Sequence, residues 1–302
     1  MPAYPPGSVR SRERENSEVA LAADALNLSA ESFARFSGYI TRELGIKMND
    51  GKVSMLQSRL MRRMRHLGIS SLEEYQDYLF NSPDAGEERI HFIDAVTTNK
   101  TDFFREPQHF DFLTRNAIPN LARQYGNGPS WRFKLWCAGC STGEEPYTQA
   151  MVLSEYARQN RGFDFVLLAT DISTRVLDHA SSGIYEEERV EPVAVPLRQR
   201  YLLRSKDPAR RVVKIVPDLR RRIHFHRLNF MDADYNVKDE FEVIFFRNVM
   251  IYFDKPTQEA VINKLCRNLK PGGYLFVGHS ESLAGLNIPV APVASAVFRK
   301  GA

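Results

Sequence analysis

The sequence contains only three cysteines among its 302 residues, and it lacks long apolar runs. A small, odd number of cysteines in a chain of this length does not build a disulfide framework, which favours a reducing compartment. Because there is no stretch of about 18 consecutive apolar residues, we expect no membrane insertion. Residues 1–17 also lack the apolar core of a secretory signal. These absences together predict a cytoplasmic protein.

The sequence also has little net charge, and its basic residues are concentrated in two clusters. A formal charge of +4 does not by itself indicate a nucleic-acid-binding protein. In the segment 192–227, arginines and lysines greatly outnumber the acids, which are Asp207 and Asp218. The second cluster consists of Arg59, Arg62, Arg63 and Arg65. Both clusters are consistent with an acidic partner, although a charge run is more often a solvated surface.

The hydrophobic pattern predicts a disordered tail at 1–25 and an all-helical domain at 26–97. Within Lys52–Leu67, apolar residues recur at spacings of four, four and three, which is one stripe of an amphipathic helix. The stripe consists of Leu56, Leu60, Met64 and Leu67. Arg59, Arg62, Arg63 and His66 lie on a different stripe, so we expect these basic residues to share an exposed helix face.

From about residue 98 to 302 the pattern changes to alternating strands and helices. The predicted strands are short apolar runs, as in a parallel sheet covered on both faces: Phe133–Cys137, Phe163–Thr170, Phe241–Phe246 and Tyr274–Gly278. The predicted helices between them are Glu145–Gln159, Thr174–Ser182 and Thr257–Leu269. This order indicates an α/β fold with a doubly wound, mostly parallel sheet and a ligand site at the carboxyl ends of its strands. A proline-rich stretch with a short alternating pattern predicts a small inserted β-subdomain at 189–225.

Three features of the α/β region carry chemical information. In Lys134–Tyr147, a strand runs into a turn with Gly139 and Gly143, which permits a close approach of backbone to ligand. The next predicted strand ends at Asp171, where a carboxylate can accept hydrogen bonds from ribose hydroxyls. The third feature is Leu269–Val277, in which Pro-Gly-Gly ends a helix and a strand follows.

A nicotinamide-dependent enzyme shares the glycine turn and the acid after the next strand. The acidic pair Glu144 and Glu145 separates the two possibilities. A pyrophosphate at this turn would meet like charge, whereas the ammonium group of S-adenosylmethionine would be attracted to it. The three features together therefore predict a class I S-adenosylmethionine-dependent methyltransferase with a Rossmann-like fold.

From about residue 30 to 300 the sequence resembles the CheR family of chemotaxis receptor methyltransferases. The matching motifs are Thr97-Thr-Asn-Lys-Thr-Asp-Phe-Phe-Arg-Glu106, Cys140-Ser-Thr-Gly-Glu-Glu-Pro-Tyr147, Ala169-Thr-Asp-Ile172, Arg227-Leu-Asn229 and Arg247-Asn-Val-Met-Ile-Tyr-Phe-Asp254. The resemblance implies a helical N-terminal domain, a class I methyltransferase domain at 98–302 and an inserted β-subdomain. It also implies the methylation of receptor glutamates, with S-adenosylhomocysteine as the second product and no metal.

The resemblance further implies the residues of the cofactor site. Glu145, rather than Glu144, would bind the methionine amino group, and Asp171 would bind the ribose. The remaining cofactor positions would be Asn99, Thr101, Arg105, Asn229, Phe230, Arg247 and Asn248. Phe230 replaces the leucine expected at its position, but an apolar side chain still suits the edge of a purine. Arg105 and Tyr252 are the predicted catalytic residues, since both lie in motifs that face the cofactor.

Partners follow from the same resemblance. The cytoplasmic methylation helices of chemoreceptors are the expected substrate, and Arg59, Arg62, Arg63 and Arg65 are the expected receptor-binding residues. In some members the β-subdomain also binds a peptide at the receptor C-terminus. The family pattern favours a monomer, and no nucleic-acid partner is expected.

Several other interpretations were weighed against this one. An RNA or small-molecule methyltransferase of the same fold is the principal alternative, but the basic insertion lacks the interleaved aromatics typical of single-stranded RNA recognition. A non-catalytic receptor-binding or cofactor-sensing module is another. Cys137 and Cys140 have the spacing of a redox motif, yet this leaves the other motifs unexplained. His224 and His226 lack a neighbouring third ligand for zinc.

Overall fold

The computed structural model describes residues 28–126, 131–207 and 209–301, so the predicted tail at 1–25 lies outside the described residues. The chain forms two units. Among the described residues, one unit holds those up to Thr97 except Glu43–Ile46, which belong with the residues from Thr98 onward in the other unit. No helix among the described residues is both long and apolar enough to cross a bilayer.

The N-terminal unit is built from helices, as the sequence predicts. They are α1 (Ala30–Leu44), α2 (Val53–Leu67), α3 (Leu72–Asn81) and α4 (Gly86–Val96). The apolar stripe of α2 is buried at Leu56, Leu60 and Met64. Helix α2 ends at Gly68, whose φ of 71° suits a residue without a Cβ atom. Ser71 begins α3 by accepting a hydrogen bond from the Glu74 N–H at 3.1 Å.

The prediction that the arginines of α2 share one exposed face is wrong for Arg59 and Arg63. Arg59 donates from Nη1 to the carbonyl oxygens of Val96 and Thr97 at the end of α4. Arg63 donates to both carboxylate oxygens of Glu88, at 2.6 to 2.9 Å, and their side chains are 16% and 2% exposed. Helical spacing places residues on a stripe, but only the packing of α4 against α2 shows that this stripe is partly covered.

Arg62 and Arg65, in contrast, are exposed. The Glu88 carboxylate is buried and also accepts a hydrogen bond from the Tyr75 hydroxyl at 2.7 Å. The arginines of α2 therefore divide into Arg59 and Arg63, which hold helices together, and Arg62 and Arg65, which face solvent.

We expect Arg63→Ala to lower the free energy of unfolding by about 3 kcal/mol, because it leaves a buried carboxylate without its cation. Chemical denaturation of the full chain, followed by circular dichroism, measures the change. Arg62→Ala is the matched control and should change the value by no more than about 0.5 kcal/mol. Equal effects of the two substitutions would contradict a stabilising role for the ion pair.

The second unit contains a seven-stranded sheet in the order β6-β2-β1-β7-β8-β10-β9. Its strands are β1 (Arg132–Ala138), β2 (Asp164–Asp171), β6 (Ile223–Arg227), β7 (Phe241–Phe245), β8 (Leu269–Phe276), β9 (Val290–Ala294) and β10 (Val297–Lys300). The first five strands are parallel, and β10 pairs antiparallel with β8 and β9. The predicted fold class is confirmed.

Both faces of this sheet are covered. On β1, Phe133 and Leu135 belong to one apolar cluster and Trp136 and Ala138 to the other, so successive side chains enter opposite layers. The covering helices are α5 (Gln108–Phe112), α6 (Ile118–Tyr125), α7 (Glu144–Gln159), α8 (Thr174–Ser182) and α11 (Lys255–Arg267). A short π-helical segment, Leu113–Ala117, joins α5 and α6. Burial on both faces explains why the strands are continuous apolar runs rather than alternating ones.

Two boundaries differ from the sequence prediction. Helix α11 ends at Arg267 rather than at Leu269, and β8 already begins at Leu269. Strand β8 pairs with β7 at Phe241↔Leu269 and next at Val243↔Tyr274, so the Pro-Gly-Gly sequence is a bulge within the strand. Proline usually ends a helix, but it is also tolerated within a strand at a bulge.

A three-stranded antiparallel sheet in the order β3-β5-β4 overlaps the predicted insertion at 189–225. Its elements are β3 (Ile184–Glu186), α9 (Val195–Tyr201), β4 (Leu202–Arg204), β5 (Val212–Ile215) and α10 (Pro217–Arg220). The small sheet thus starts before residue 189. Residues 223–225 belong to β6, which pairs with β2 in the large sheet. Backbone pairing, which the apolar pattern does not reveal, decides both differences.

Candidate active site

The site lies where the chain order reverses in the parallel sheet. From β1 the chain continues outward to β2 and β6, and then returns to β7 on the other side of β1. The loops after β1 and β7 therefore diverge and leave a crevice at the carboxyl ends of the strands, where open α/β sheets bind ligands. Predicted cofactor residues lie after β1, β6 and β7, and Asp171 is the last residue of β2.

The glycine turn after β1 is held by the end of β2. The N–H groups of Gly139 and Cys140 donate to the Thr170 carbonyl oxygen at 2.8 and 2.9 Å. Gly139 has a φ of 85°, and a Cβ atom there would lie 2.6 Å from the Val249 side chain. Asp171 accepts the Ser141 N–H at 2.8 Å. The turn therefore brings backbone close to the crevice and fixes the Asp171 carboxylate at its edge.

The two acids of the turn have different environments. Glu144 is buried, accepts a hydrogen bond from Arg189 Nη2 at 2.6 Å, and also accepts one from the Thr142 hydroxyl. Glu145 remains 14% exposed and lies 3.5 Å from Arg247 Nη1. Burial raises the pKa of the Glu145 carboxyl, and the nearby Arg247 guanidinium opposes that shift. Glu144 thus has a close ion pair with Arg189, whereas Glu145 accepts a hydrogen bond from the neutral Gln149 amide at 3.2 Å and lies farther from its nearest cation.

Arg247 contacts several of the predicted site residues. Its guanidinium is buried, donates from Nη2 to the Arg105 carbonyl oxygen at 2.7 Å, and lies 3.2 Å from Glu106 Oε2. Among the described residues, its Nε and Nη1 atoms have no hydrogen-bond acceptor. Phe110 and Phe245 flank it, with ring centroids 5.8 and 6.0 Å from the guanidinium carbon. Buried donors without an acceptor are costly, which favours an anionic ligand group at this point.

The loop before α5 carries three of the predicted residues. The Asn99 carbonyl accepts the Ser141 hydroxyl at 2.9 Å, and the Thr101 carbonyl accepts Arg189 Nη2 at 2.6 Å. Arg105 donates to the Lys100 carbonyl at 3.3 Å and is half-buried. The structure thus places Asn99 against the glycine turn, Thr101 against Arg189 and Arg105 against Arg247. The acids next to Arg105 in the sequence, Glu106 and Asp102, pair with Arg247 and Arg189.

The remaining predicted residues follow β6 and β7. Asn229 donates to the Glu43 carbonyl at 2.7 Å and accepts the Met231 N–H, so its side chain holds backbone in place. Phe230 is buried, with its ring 5.0 Å from that of Phe246. Asn248 has a φ of 59°, and Tyr252 lies in the short turn Met250–Tyr252 that follows.

Residues other than glycine with a positive φ are concentrated in these loops. Among the described residues, six other than glycine have positive φ, and Phe104, Glu106, Ser141 and Asn248 of this site are four of them. Such conformations cost about 1 kcal/mol or more each and persist only when the surroundings enforce them. Their clustering is typical of a functional site.

Sequence reasoning missed Glu281 in the loop after β8. Its carboxylate accepts hydrogen bonds from the N–H groups of Gly278, Asn248 and Met250, at 2.7 to 2.9 Å. It thereby ties the loop after β7 to the loop after β8. Burial raises the pKa of this carboxyl, and the backbone donors oppose the shift. The available signal was a run of polar residues, Gly278–Ser282, directly after the last parallel strand.

Arg189 was likewise missed. It donates to Glu144, to the Thr101 carbonyl and to Asp102, at 2.6, 2.6 and 3.1 Å. Arg189 follows β3 of the small sheet, so it connects that sheet to the glycine turn and to the loop before α5. Nothing in its sequence position indicates these contacts.

A group of three possible ligand side chains also went unnoticed: Glu106, His109 and His279. His109 is buried, and burial, with Arg247 and His279 nearby, lowers the pKa of its imidazole to about 3.

The histidines and cysteines with zinc-like or redox-like spacing in the sequence have other environments. His224 and His226 are exposed on β6. Cys137 and Cys140 are buried free thiols, and burial raises the pKa of both, which is unsuited to redox exchange.

Two family descriptions match the chain. Residues 31–97 match the "CheR methyltransferase, all-alpha domain", and residues 99–298 match the "CheR methyltransferase, SAM binding domain". A chemotaxis protein methyltransferase of Borreliella burgdorferi is 38% identical over 261 residues, covering 86% of this chain and 91% of that protein. Chemotaxis protein methyltransferase 2 of Pseudomonas aeruginosa is 38% identical, covering 89% and 92%. A chemotaxis protein methyltransferase of Klebsiella aerogenes is 39% identical, covering 93% and 92%.

Proposed function

The chain belongs to the CheR family of S-adenosylmethionine-dependent chemotaxis methyltransferases, and we propose that its methyl acceptors are glutamate side chains of chemoreceptors. The products are glutamyl methyl esters and S-adenosylhomocysteine. The observation that carries this proposal is that Arg247 contacts both Glu145 and the Arg105 backbone at the switch point of the sheet, while Asp171 is held at the end of β2 by the glycine turn. This grouping offers separate partners for a charged cofactor and for an anionic methyl acceptor.

The side chains of this site match the functional groups of S-adenosylmethionine one by one. Glu145 suits the amino group, because an ammonium ion offsets the cost of a largely buried carboxylate. The Nε and Nη1 atoms of Arg247, which lack acceptors among the described residues, suit the methionine carboxylate. Asp171 at the end of β2 suits the ribose hydroxyls, and the buried ring of Phe230 suits the purine. Asn99, Thr101, Asn229 and Asn248 are proposed to complete the cofactor site by shaping its loops.

The reaction needs positioning rather than a strong base. Bound S-adenosylmethionine supplies a methyl group on a sulfonium, and a glutamate carboxylate, with a pKa of about 4.3 in solution, is already ionised at neutral pH. A carboxylate oxygen forms the new bond to the methyl carbon as the carbon–sulfur bond breaks. The task of the chain is to align the acceptor and to exclude water. We assign Arg105 to orient the acceptor carboxylate, with Tyr252 helping to place it.

The decisive test uses S-adenosylmethionine labelled on its methyl group. The purified full chain is incubated with membranes that contain the chemoreceptors of its organism, and the labelled band is treated with base. We expect label on a receptor-sized band that base releases as methanol, since esters hydrolyse under these conditions. Base-stable label on protein or RNA would contradict glutamate methylation and support the alternative acceptors. Cofactor binding without any transfer would support a sensing role instead.

The receptor-binding surface is proposed to lie on α2. Arg62 and Arg65 are exposed and can pair with acidic residues of a receptor helix, whereas Arg59 and Arg63 are held by α4 and by Glu88. The receptor surface is therefore narrower than the set of four arginines that the sequence indicates.

Charge reversal tests this surface. We expect Arg62→Glu combined with Arg65→Glu to lower receptor methylation by about 10-fold or more, because two attractions become repulsions. Cofactor affinity should stay unchanged, as should the melting temperature. Receptor methylation at increasing salt gives a second readout, since screening should reduce the difference between the variants. A double variant that methylates receptor as the original chain does would place recognition elsewhere.

A further inference from the structure

Glu106, His109 and His279 bring one carboxylate and two imidazoles together at the carboxyl end of the sheet. One ligand atom from each residue lies within 4.8 Å of the other two. Glu106 and His109 lie at the start of α5, with Glu106 Oε2 3.5 Å from His109 Nδ1. His279 follows β8, and its ring centroid is 4.7 Å from that of His109. Residues from two separate loops thus converge on one point.

The surroundings of His109 give a second, independent observation. The side chain is 2% exposed, and its ring lies against the rings of Phe245 and Phe276. Neither imidazole nitrogen has a hydrogen-bond partner among the described residues. A buried polar group without a partner lowers stability, which favours a ligand that binds the imidazole at this point. Its neighbours on the open side are Glu106 and the exposed His279.

We propose that Glu106, His109 and His279 form a binding site for a divalent transition-metal ion of the Zn²⁺ class. Two histidines and one carboxylate are a donor set that zinc uses in proteins when a fourth position is left open. Bonds of about 2.0 to 2.2 Å require the ligand atoms to approach more closely than 4.8 Å. The exposed side chain of His279 can make this movement by rotation, without displacing the buried ring of His109.

The site shares Glu106 with Arg247. The guanidinium of Arg247 lies 3.2 Å from Glu106 Oε2, whereas Glu106 Oε1 accepts the His279 N–H at 3.3 Å. A metal ion on this carboxylate therefore competes with Arg247 for the same negative charge. The ion is expected to bind more weakly than in a structural zinc site. Binding of the ion would therefore also weaken the ion pair between Glu106 and Arg247, which is part of the proposed cofactor site.

Cobalt provides the direct probe. The full chain, without a histidine tag, is titrated with Co²⁺ while the visible d–d absorption is recorded, and Zn²⁺ is then added as competitor. We expect one equivalent of Co²⁺ to give an absorption band that Zn²⁺ abolishes. His279→Ala and Glu106→Gln should each weaken binding by about 10-fold or more, the loss expected for a disturbed metal site.

His226→Ala is the matched control, because His226 is an exposed histidine of the same unit that lies on β6. It should bind Co²⁺ as the original chain does. Since His279 is also exposed, its substitution leaves the core intact, and an unchanged circular dichroism spectrum verifies this. Absence of the band, or equal affinity in the His279→Ala variant and the original chain, would overturn the proposal.

Discussion

Arg105→Ala is expected to lower turnover about 100-fold or more while changing the affinity for S-adenosylmethionine much less. The removed guanidinium is the group proposed to orient the acceptor carboxylate, and losing one such preorganised partner typically costs this much in rate. The contact between Arg105 and Arg247 uses the Arg105 carbonyl oxygen, so the substitution keeps it. Single-turnover methylation of receptor membranes measures the rate, and calorimetric titration measures cofactor affinity.

The control for this prediction is Arg115→Ala. Arg115 is an exposed arginine in the Leu113–Ala117 segment that follows α5, so its removal changes net charge equally without touching the site. We expect turnover within about 2-fold of the original chain. If Arg105→Ala also retained near-normal turnover with intact cofactor binding, Arg105 would have no role in aligning the acceptor. A parallel loss of cofactor affinity would indicate a role in cofactor binding instead.

Gly143→Ala is expected to lower the free energy of unfolding by about 3 kcal/mol or more, through strain and steric overlap together. Gly143 has a φ of 99°, which alanine adopts only with strain. A Cβ atom there would lie 2.8 Å from the Ala180 Cβ atom and 2.6 Å from the Tyr185 hydroxyl. That hydroxyl is fixed, because it donates to the Thr142 carbonyl at 2.7 Å. The glycine turn, and with it the acids that follow, would have to move.

Gly285→Ala separates the two causes. Gly285 has a φ of 80°, but a Cβ atom there would meet nothing within 4 Å, so only the backbone cost of about 1 kcal/mol remains. Thermal unfolding compares the variants, with about 2 to 4 °C expected per kcal/mol for a unit of this size. Equal losses for Gly143→Ala and Gly285→Ala would show that helix α8 yields to the added methyl group.

Local sequence was sufficient for the elements with a strong internal signal. Helix α8 was predicted at the residues it occupies, and in the structure Ser173 and Gly183 cap its two ends. The boundary of β8 was predicted less well, since a proline and two glycines resemble a helix stop but form a bulge that depends on pairing with β7. The small sheet was placed too late, because β3 is a short strand whose pairing partner, β5, lies far along the chain.

In the candidate site, too, some features were predicted from the sequence and others were not. The family motifs predict Asp171, Glu145 and Arg247 as cofactor residues, because each lies in a contiguous stretch of sequence that resembles the family. They do not reveal that Glu144 is paired with Arg189, or that Glu281 accepts three backbone N–H groups. These contacts join residues that are distant in sequence, so no spacing predicts them.

The sequence by itself determined the family and the class of fold, because those properties are carried by contiguous motifs and by local periodicity. Only the tertiary structure decided which charged side chains form ion pairs or hydrogen bonds within the fold and which face solvent. Arg63 is held by the buried Glu88 and Arg62 is not, although both lie on one helix. His109 and His279 converge on Glu106 because two loops end at the same edge of the sheet. Burial and long-range pairing are properties of packing, and packing is absent from the linear order of residues.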